Sequence, residues 1–149
     1  MGYTTDFSGQ FTIDRPVDQA TYDLLYGLAT TRRMGRKGLP KENGVEGEFY
    51  VDGSDNYGID DNIIDYNTPP KTQPGLWCQW LIQEDKQTIE WDGGEKFYHY
   101  VEWIKYFINS ILKPQKYILN GQVTWQGEDI GDRGLIIIKN NKVTVKDLR

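Results

Sequence analysis

A chain of 149 residues is the size of one domain and can bury roughly two-thirds of the surface its unfolded form exposes, so a single domain over 1–149 is expected. A formal charge of −5, from 17 Lys and Arg against 22 Asp and Glu, argues against general affinity for nucleic acid, which rests on cations neutralising phosphates. One cysteine, Cys78, excludes an internal disulfide and cysteine-rich zinc spacing, and no apolar run is long enough to span a bilayer.

Residues 3–13 alternate as a strand does, with Tyr3, Thr5 and Phe7 on one side and Phe11 and Ile13 resuming after Ser8-Gly9. Gly9 there marks a bulge or a hairpin. Asp14-Arg15-Pro16-Val17-Asp18 opens a helix, and Val17, Thr21, Leu24, Leu25 and Leu28 recur at helical spacing, which predicts helix over 17–33. Gly27 costs about 1 kcal/mol relative to Ala inside it and so predicts a close neighbour. Five basic residues from Arg32 to Lys41 follow, suited to the negative end of the helix dipole or to a local anion site.

From Glu42 to Pro70 there are eight acids and no Lys or Arg, which reads as an acidic loop inserted over 42–70 around a short strand at Glu48–Val51. A calcium loop started at Asp52 would put Tyr57 at its glycine position and Ile63 at its bidentate glutamate, so that motif fails. Gly75–Gln83 and Thr88–Asp92 then read as strands joined through Glu84-Asp85-Lys86-Gln87. Asp92-Gly93-Gly94-Glu95 leads into a second helix, whose apolar stripe runs from Phe97 through Tyr100, Ile104, Phe107 and Ile111 until Pro114 ends it. Asn120-Gly121 is a turn signal before the strand Gln122–Gln126, and Leu135–Lys139 with Lys142–Val145 forms a hairpin through Asn140-Asn141. The expected class is α+β: an antiparallel sheet with two helices on one face, in ferredoxin-like βαββαβ order plus an extra C-terminal strand.

Such a sheet leaves one face open, and alternation gathers Glu90, Asp92, Thr124 and Gln126 there. Either Trp77 with Gln79 or Cys78 with Trp80 joins them. Carboxylates and an amide read polar edges, an indole stacks, and Arg32 and Arg33 meet phosphate or carboxylate. The candidate ligand-binding residues are therefore Arg32, Arg33, Trp77, Trp80, Glu90, Asp92, Gln126 and Glu128. The plainer reading is a sheet face that is polar because it meets water. Cys78 sits in an apolar run and reads as an inert buried thiol. His99 has no second histidine to work with and reads as an ordinary surface residue.

Gly2-Tyr3-Thr4-Thr5-Asp6-Phe7, Thr31-Arg32-Arg33-Met34, Asp65-Tyr66-Asn67, Pro74-Gly75-Leu76-Trp77-Cys78-Gln79-Trp80, Glu90-Trp91-Asp92-Gly93-Gly94-Glu95-Lys96-Phe97-Tyr98 and Trp125-Gln126-Gly127-Glu128-Asp129 resemble an uncharacterised family of small bacterial and phage proteins. The resemblance spans nearly the whole chain and carries no function with it. In a phage, sequestering a host immune signal would be a natural task for so small a protein.

No nucleophile triad, zinc spacing or phosphate-cradling glycine motif is present, which favours binding over catalysis. The leading expectation is a small binding protein that holds a nucleotide-like or other small polar ligand, with no cofactor and no metal. The N-terminus has neither a basic nor an apolar leader region, so the cytoplasm is expected. Two alternatives stand beside it. One is a hydrolase using Glu90, Asp92, Glu95 and Glu128 as acid/base groups or as Mg²⁺ ligands. The other is a protein–protein inhibitor presenting the acidic surface of residues 42–65 to a basic protein partner. The oligomeric state stays open.

Overall fold

The computed structural model describes residues 3–51 and 62–148. Within them the chain forms β1 (Thr5–Ile13), α1 (Gln19–Thr30), β2 (Gly35–Arg36), β3 (Ile63–Asp65), β4 (Trp80–Ile82), β5 (Thr88–Trp91), α2 (Tyr100–Phe107), β6 (Leu119–Gly127), β7 (Arg133–Lys139) and β8 (Lys142–Asp147). Six strands make an antiparallel sheet in the order β4-β5-β1-β6-β7-β8, and β2 pairs with β3 in a separate ribbon. The α+β class holds. The expected ferredoxin-like βαββαβ order with one added strand is overturned, because four strands separate the helices and three follow the second helix. The ribbon escapes a sequence reading because two- and three-residue strands are too short to show alternation.

Alternation does build the centre. Along β1, Thr5, Phe7, Phe11 and Ile13 are buried while Asp6, Ser8, Gln10 and Thr12 face the other way. β1 pairs with β6 without a break from Thr5 opposite Gly127 to Ile13 opposite Leu119, so Gly9 marks neither a hairpin nor a register shift. Nor does the chain turn at Asn120-Gly121. Gly121 adopts φ +140°, and a Cβ there would stand 2.5 Å from the Gln10 carbonyl oxygen. Gly9, at φ +110°, meets the Gln122 carbonyl in the same way. These two glycines let β1 and β6 pass closer than side chains allow. The turn at Asn140-Asn141 does form, with both residues at positive φ, as a tight hairpin requires.

The first helix is shorter than its periodicity suggests. Asp18 caps it by accepting from the Thr21 N–H at 2.8 Å, and Thr31 leaves it in extended conformation. Arg32 and Arg33 therefore lie beyond the helix rather than in its last turn. The close neighbour of Gly27 is Val51, whose Cγ1 would be 2.8 Å from an added Cβ. Glu48 and Phe49 form a turn instead of the expected strand. The second helix starts at Tyr100, not near Glu95, and widens into a π-helical turn over Ile108–Leu112, just before Pro114, which has no N–H for a regular ladder.

Both helices contribute to one core with the apolar face of the sheet, through Leu25 and Leu28 from α1 and Trp103, Ile104 and Phe107 from α2. Much of the aromatic excess is spent here. Phe7 touches Trp80, Trp91, Phe97 and Tyr100 at centroid separations from 5.0 to 5.5 Å. Phe97 is the member of this cluster that comes from the loop before α2.

Candidate functional site

A cleft of about 590 Å³ lies between two irregular segments. One supplies Pro69, Pro74, Gly75, Leu76, Trp77 and Gln79; the other supplies Gly94, Glu95, Lys96, Tyr98 and His99. The size is that of a small-molecule site.

Each wall is fastened from behind. Gln79 precedes β4 and is buried, so its amide must find partners inside. It donates to the Glu95 carbonyl at 2.7 Å and accepts from the Trp91 indole N–H at 3.1 Å. The Asp92 carboxylate accepts from the Gly94 N–H at 2.7 Å and turns the chain away from β5. Burial raises the pKa of this carboxyl from its ordinary value. Phe97 then plugs into the aromatic cluster. Between these ties, Gly93, Lys96 and His99 all take positive φ. For lysine and histidine that conformation costs on the order of 1–3 kcal/mol each, and it persists only where the surroundings enforce it.

The opposite wall hangs on Arg33. Its backbone N–H donates to Leu76 O at 2.8 Å. Its guanidinium reaches Gln73 Oε1, Thr31 Oγ1 and the carbonyls of Glu48 and Tyr50. Gln73 in turn donates to the Glu48 carbonyl and to the Tyr106 hydroxyl. All four acceptors of the guanidinium are neutral, and burial pushes its pKa down to about 10. The same burial lifts the Tyr106 hydroxyl and the Cys78 thiol well above their usual ranges. Cys78 is thus a protonated, inert thiol at neutral pH.

The eight residues singled out from sequence fall in several places. Trp77 lines the cleft, and the Arg32 guanidinium lies 6.0 Å from its ring while bonding Tyr66 O and Asn67 Oδ1. Asp92 supports the cleft from its edge. Arg33 and Trp80 neighbour cleft residues but turn inward and do not line it. Arg33 is no anion site, and Trp80 is fully buried, its indole N–H donating to Tyr100 O at 2.8 Å. Glu90 pairs across from Leu81 on the open sheet face. Gln126 lies in β6, opposite Asp6 of β1 and Arg133 of β7, and Glu128 follows the end of that strand. The Gln126 amide donates to the carbonyls of Gly127, Asp129 and Asp132, and Glu128 accepts from the Thr4 N–H. Gln126 also lines a smaller hollow of about 280 Å³ with Asp6 and Arg133.

Sequence reasoning left Gln79 as one of two alternatives and missed Lys96, Tyr98 and His99 as site residues. Gln79 carried one signal, a polar side chain inside the run Trp77-Cys78-Gln79-Trp80. His99 gave none, because a helical reading of its segment placed it on a solvated face.

Of the carboxylates proposed for hydrolysis, Glu95 lines the cleft and Asp92 stands at its edge, while Glu90 lies within β5 and Glu128 follows β6. Among the described residues, no group of three or more His, Cys, Asp or Glu side chains could hold a metal ion. Of the acids from Glu42 to Asp65, Asp52, Asp55, Asp60 and Asp61 lie outside the described residues, as does most of the rejected calcium loop. Glu46 pairs with Lys71 at 3.7 Å, Glu48 accepts from the Tyr106 hydroxyl, and Asp65 accepts from Asn67 and Thr68. Among the described residues, no helix is long and apolar enough to cross a membrane. Compared with known protein families, curated proteins and solved structures, the chain matches none.

Proposed function

We propose that this chain is a binding protein whose cleft holds a small molecule with a flat apolar body and a polar end, a class that includes nucleotides. The observation that carries this reading is a cleft of about 590 Å³ whose lining includes Trp77, Tyr98 and His99 and whose strained loop is tied down from behind. Backbone strain held in place by buried contacts is characteristic of ligand clamps. An aromatic wall supplies contact area for a flat ring. Lys96 on the cleft and Arg32 beside Trp77 supply positive charge for a phosphate or carboxylate end. In a phage, such a protein would serve to sequester a small host signal.

The test is a thermal-shift screen against mononucleotides, cyclic oligonucleotides and aromatic carboxylic acids, followed by tryptophan fluorescence titration of each hit. A ligand at about 100 times its Kd adds roughly 2.7 kcal/mol, which raises Tm by several degrees in a domain this size. Trp77→Ala and Tyr98→Ala are expected to abolish the shift, and Glu90→Gln to leave it intact. Hits that survive both cleft substitutions, or no hit at all, would overturn the reading.

A further inference from the structure

Trp80, Trp91 and Trp125 place their indole N–H on protein acceptors: Tyr100 O, Gln79 Oε1 and Asp132 Oδ1. Trp103 does not. It is fully buried in α2, and among the described residues its Nε1 is the one buried side-chain polar atom without a hydrogen-bond partner. A buried donor left unmatched is costly, so a fold that retains one has a use for it or a strong packing reason.

The position of this N–H points to the use. A Cβ added to Gly75 would stand 3.2 Å from His99 Cδ2 and 3.8 Å from Trp103 Nε1, and Nε1 is the only Trp103 atom that near. Gly75 and His99 both line the cleft. The indole N–H therefore sits directly behind the cleft wall, at the spot that glycine leaves free of a side chain. The His99 ring borders this spot through Cδ2, and His99 is an exposed residue. Gly75 has no positive φ that would require glycine for backbone reasons. Its missing side chain matters instead for access.

We propose that the Trp103 N–H is the specificity donor of the cleft. The ligand carries a hydrogen-bond acceptor on its flat body, a ring nitrogen or a carbonyl oxygen, which enters between Gly75 and a displaced His99 ring to bond Nε1. This rests on the cleft being a ligand site and narrows its ligand to heteroaromatic or carbonyl-bearing rings. A site built around a buried donor rejects an isostere without the acceptor, because the donor then stays unpaired.

Naphthalene and quinoline test this as a pair of flat probes that differ by one ring nitrogen. Their affinities are measured at neutral pH by ¹H–¹⁵N spectra of the whole chain, in wild type and in Trp103→Phe. The indole resonance absent from the variant identifies Trp103. Quinoline is expected to move that resonance downfield, and naphthalene is not. The quinoline-to-naphthalene preference is expected to be about tenfold larger in wild type than in Trp103→Phe. Gly75→Ala provides a second variant that leaves α2 untouched, and its added methyl is expected to remove the same preference. Equal preferences in wild type and both variants, with both probes bound at the cleft, would overturn the donor role and leave the cleft standing. Failure of both probes to perturb residues 74–79 and 94–99 in wild type would overturn the cleft reading itself.

Discussion

Replacing Phe97 by alanine separates the stability of the core from the geometry of the cleft. The ring is 2% exposed and lies 5.5 Å from Phe7, 5.2 Å from Trp80 and 6.1 Å from Tyr100, between centroids. Transferring such a ring out of water is worth roughly 1.5–3 kcal/mol, and the cavity left by truncation brings the cost to about 3–5 kcal/mol. At about 2–4 °C per kcal/mol for a domain near this length, Tm should fall by roughly 10 °C. A second effect follows at the site. Lys96 and His99 hold positive φ on either side of Phe97, at a cost on the order of 1–3 kcal/mol each. Once the anchor is gone, these residues relax and the wall carrying Tyr98 moves. Urea unfolding gives the stability loss, and quinoline titration gives the affinity, expected to drop by more than about tenfold, or 1.4 kcal/mol. Ile138→Ala is the control, a comparable truncation in β7 that does not line the cleft. The reasoning is refuted if Phe97→Ala costs less than about 1 kcal/mol, or if it weakens the probe no more than Ile138→Ala does.

Gly121→Ala should destabilise by several kcal/mol, since it adds a side chain at φ +140° with its Cβ 2.5 Å from a β1 carbonyl; urea unfolding with an unchanged midpoint would contradict the close approach of β1 and β6. Arg33→Met removes the cost of burying a cation but strands the acceptors on Gln73 and Tyr50. A net loss of about 2–3 kcal/mol is expected, with no recovery in Arg33→Lys, whose compact ammonium cannot replace a planar five-donor fork. A methionine variant as stable as wild type would show that desolvation dominates. Acid should lower the stability of the chain. Asp14, held down chiefly by the Ile118 N–H, Asp18 by Thr21, Asp65 by the Asn67 N–H and Asp85 by the Thr88 hydroxyl all have pKa values below the unfolded 3.8. Their contribution is present above that value and is lost as pH falls through the lower folded values. Urea midpoints measured from about pH 6 down to about pH 2 should therefore decline at the acid end, and a flat profile would count against these bonds.

What the sequence determined by itself was the material that repeats locally. Alternation in Thr5–Ile13 and in Val123–Trp125 chose the buried face, because a strand sends successive side chains to opposite sides. Asn140-Asn141 chose the last hairpin, because its two-residue turn needs positive φ at both positions. The acid and base balance, the single thiol and the first helix were legible for similar reasons. The tertiary structure decided what depended on distant partners. Whether Asn120-Gly121 turned or ran on as strand rested on the Gln10 carbonyl of β1, more than a hundred residues earlier. Whether Arg33 met an anion or the protein's own acceptors rested on residues 48–50 and Gln73. The cleft lay furthest from view. Gly93, Lys96 and His99 adopt positive φ because Gln79, Asp92 and Phe97 pin the chain around them, and no local pattern encodes a conformation that only those ties make affordable. The unpaired indole of Trp103 belongs to the same class, since a missing partner is defined only by everything that packs nearby.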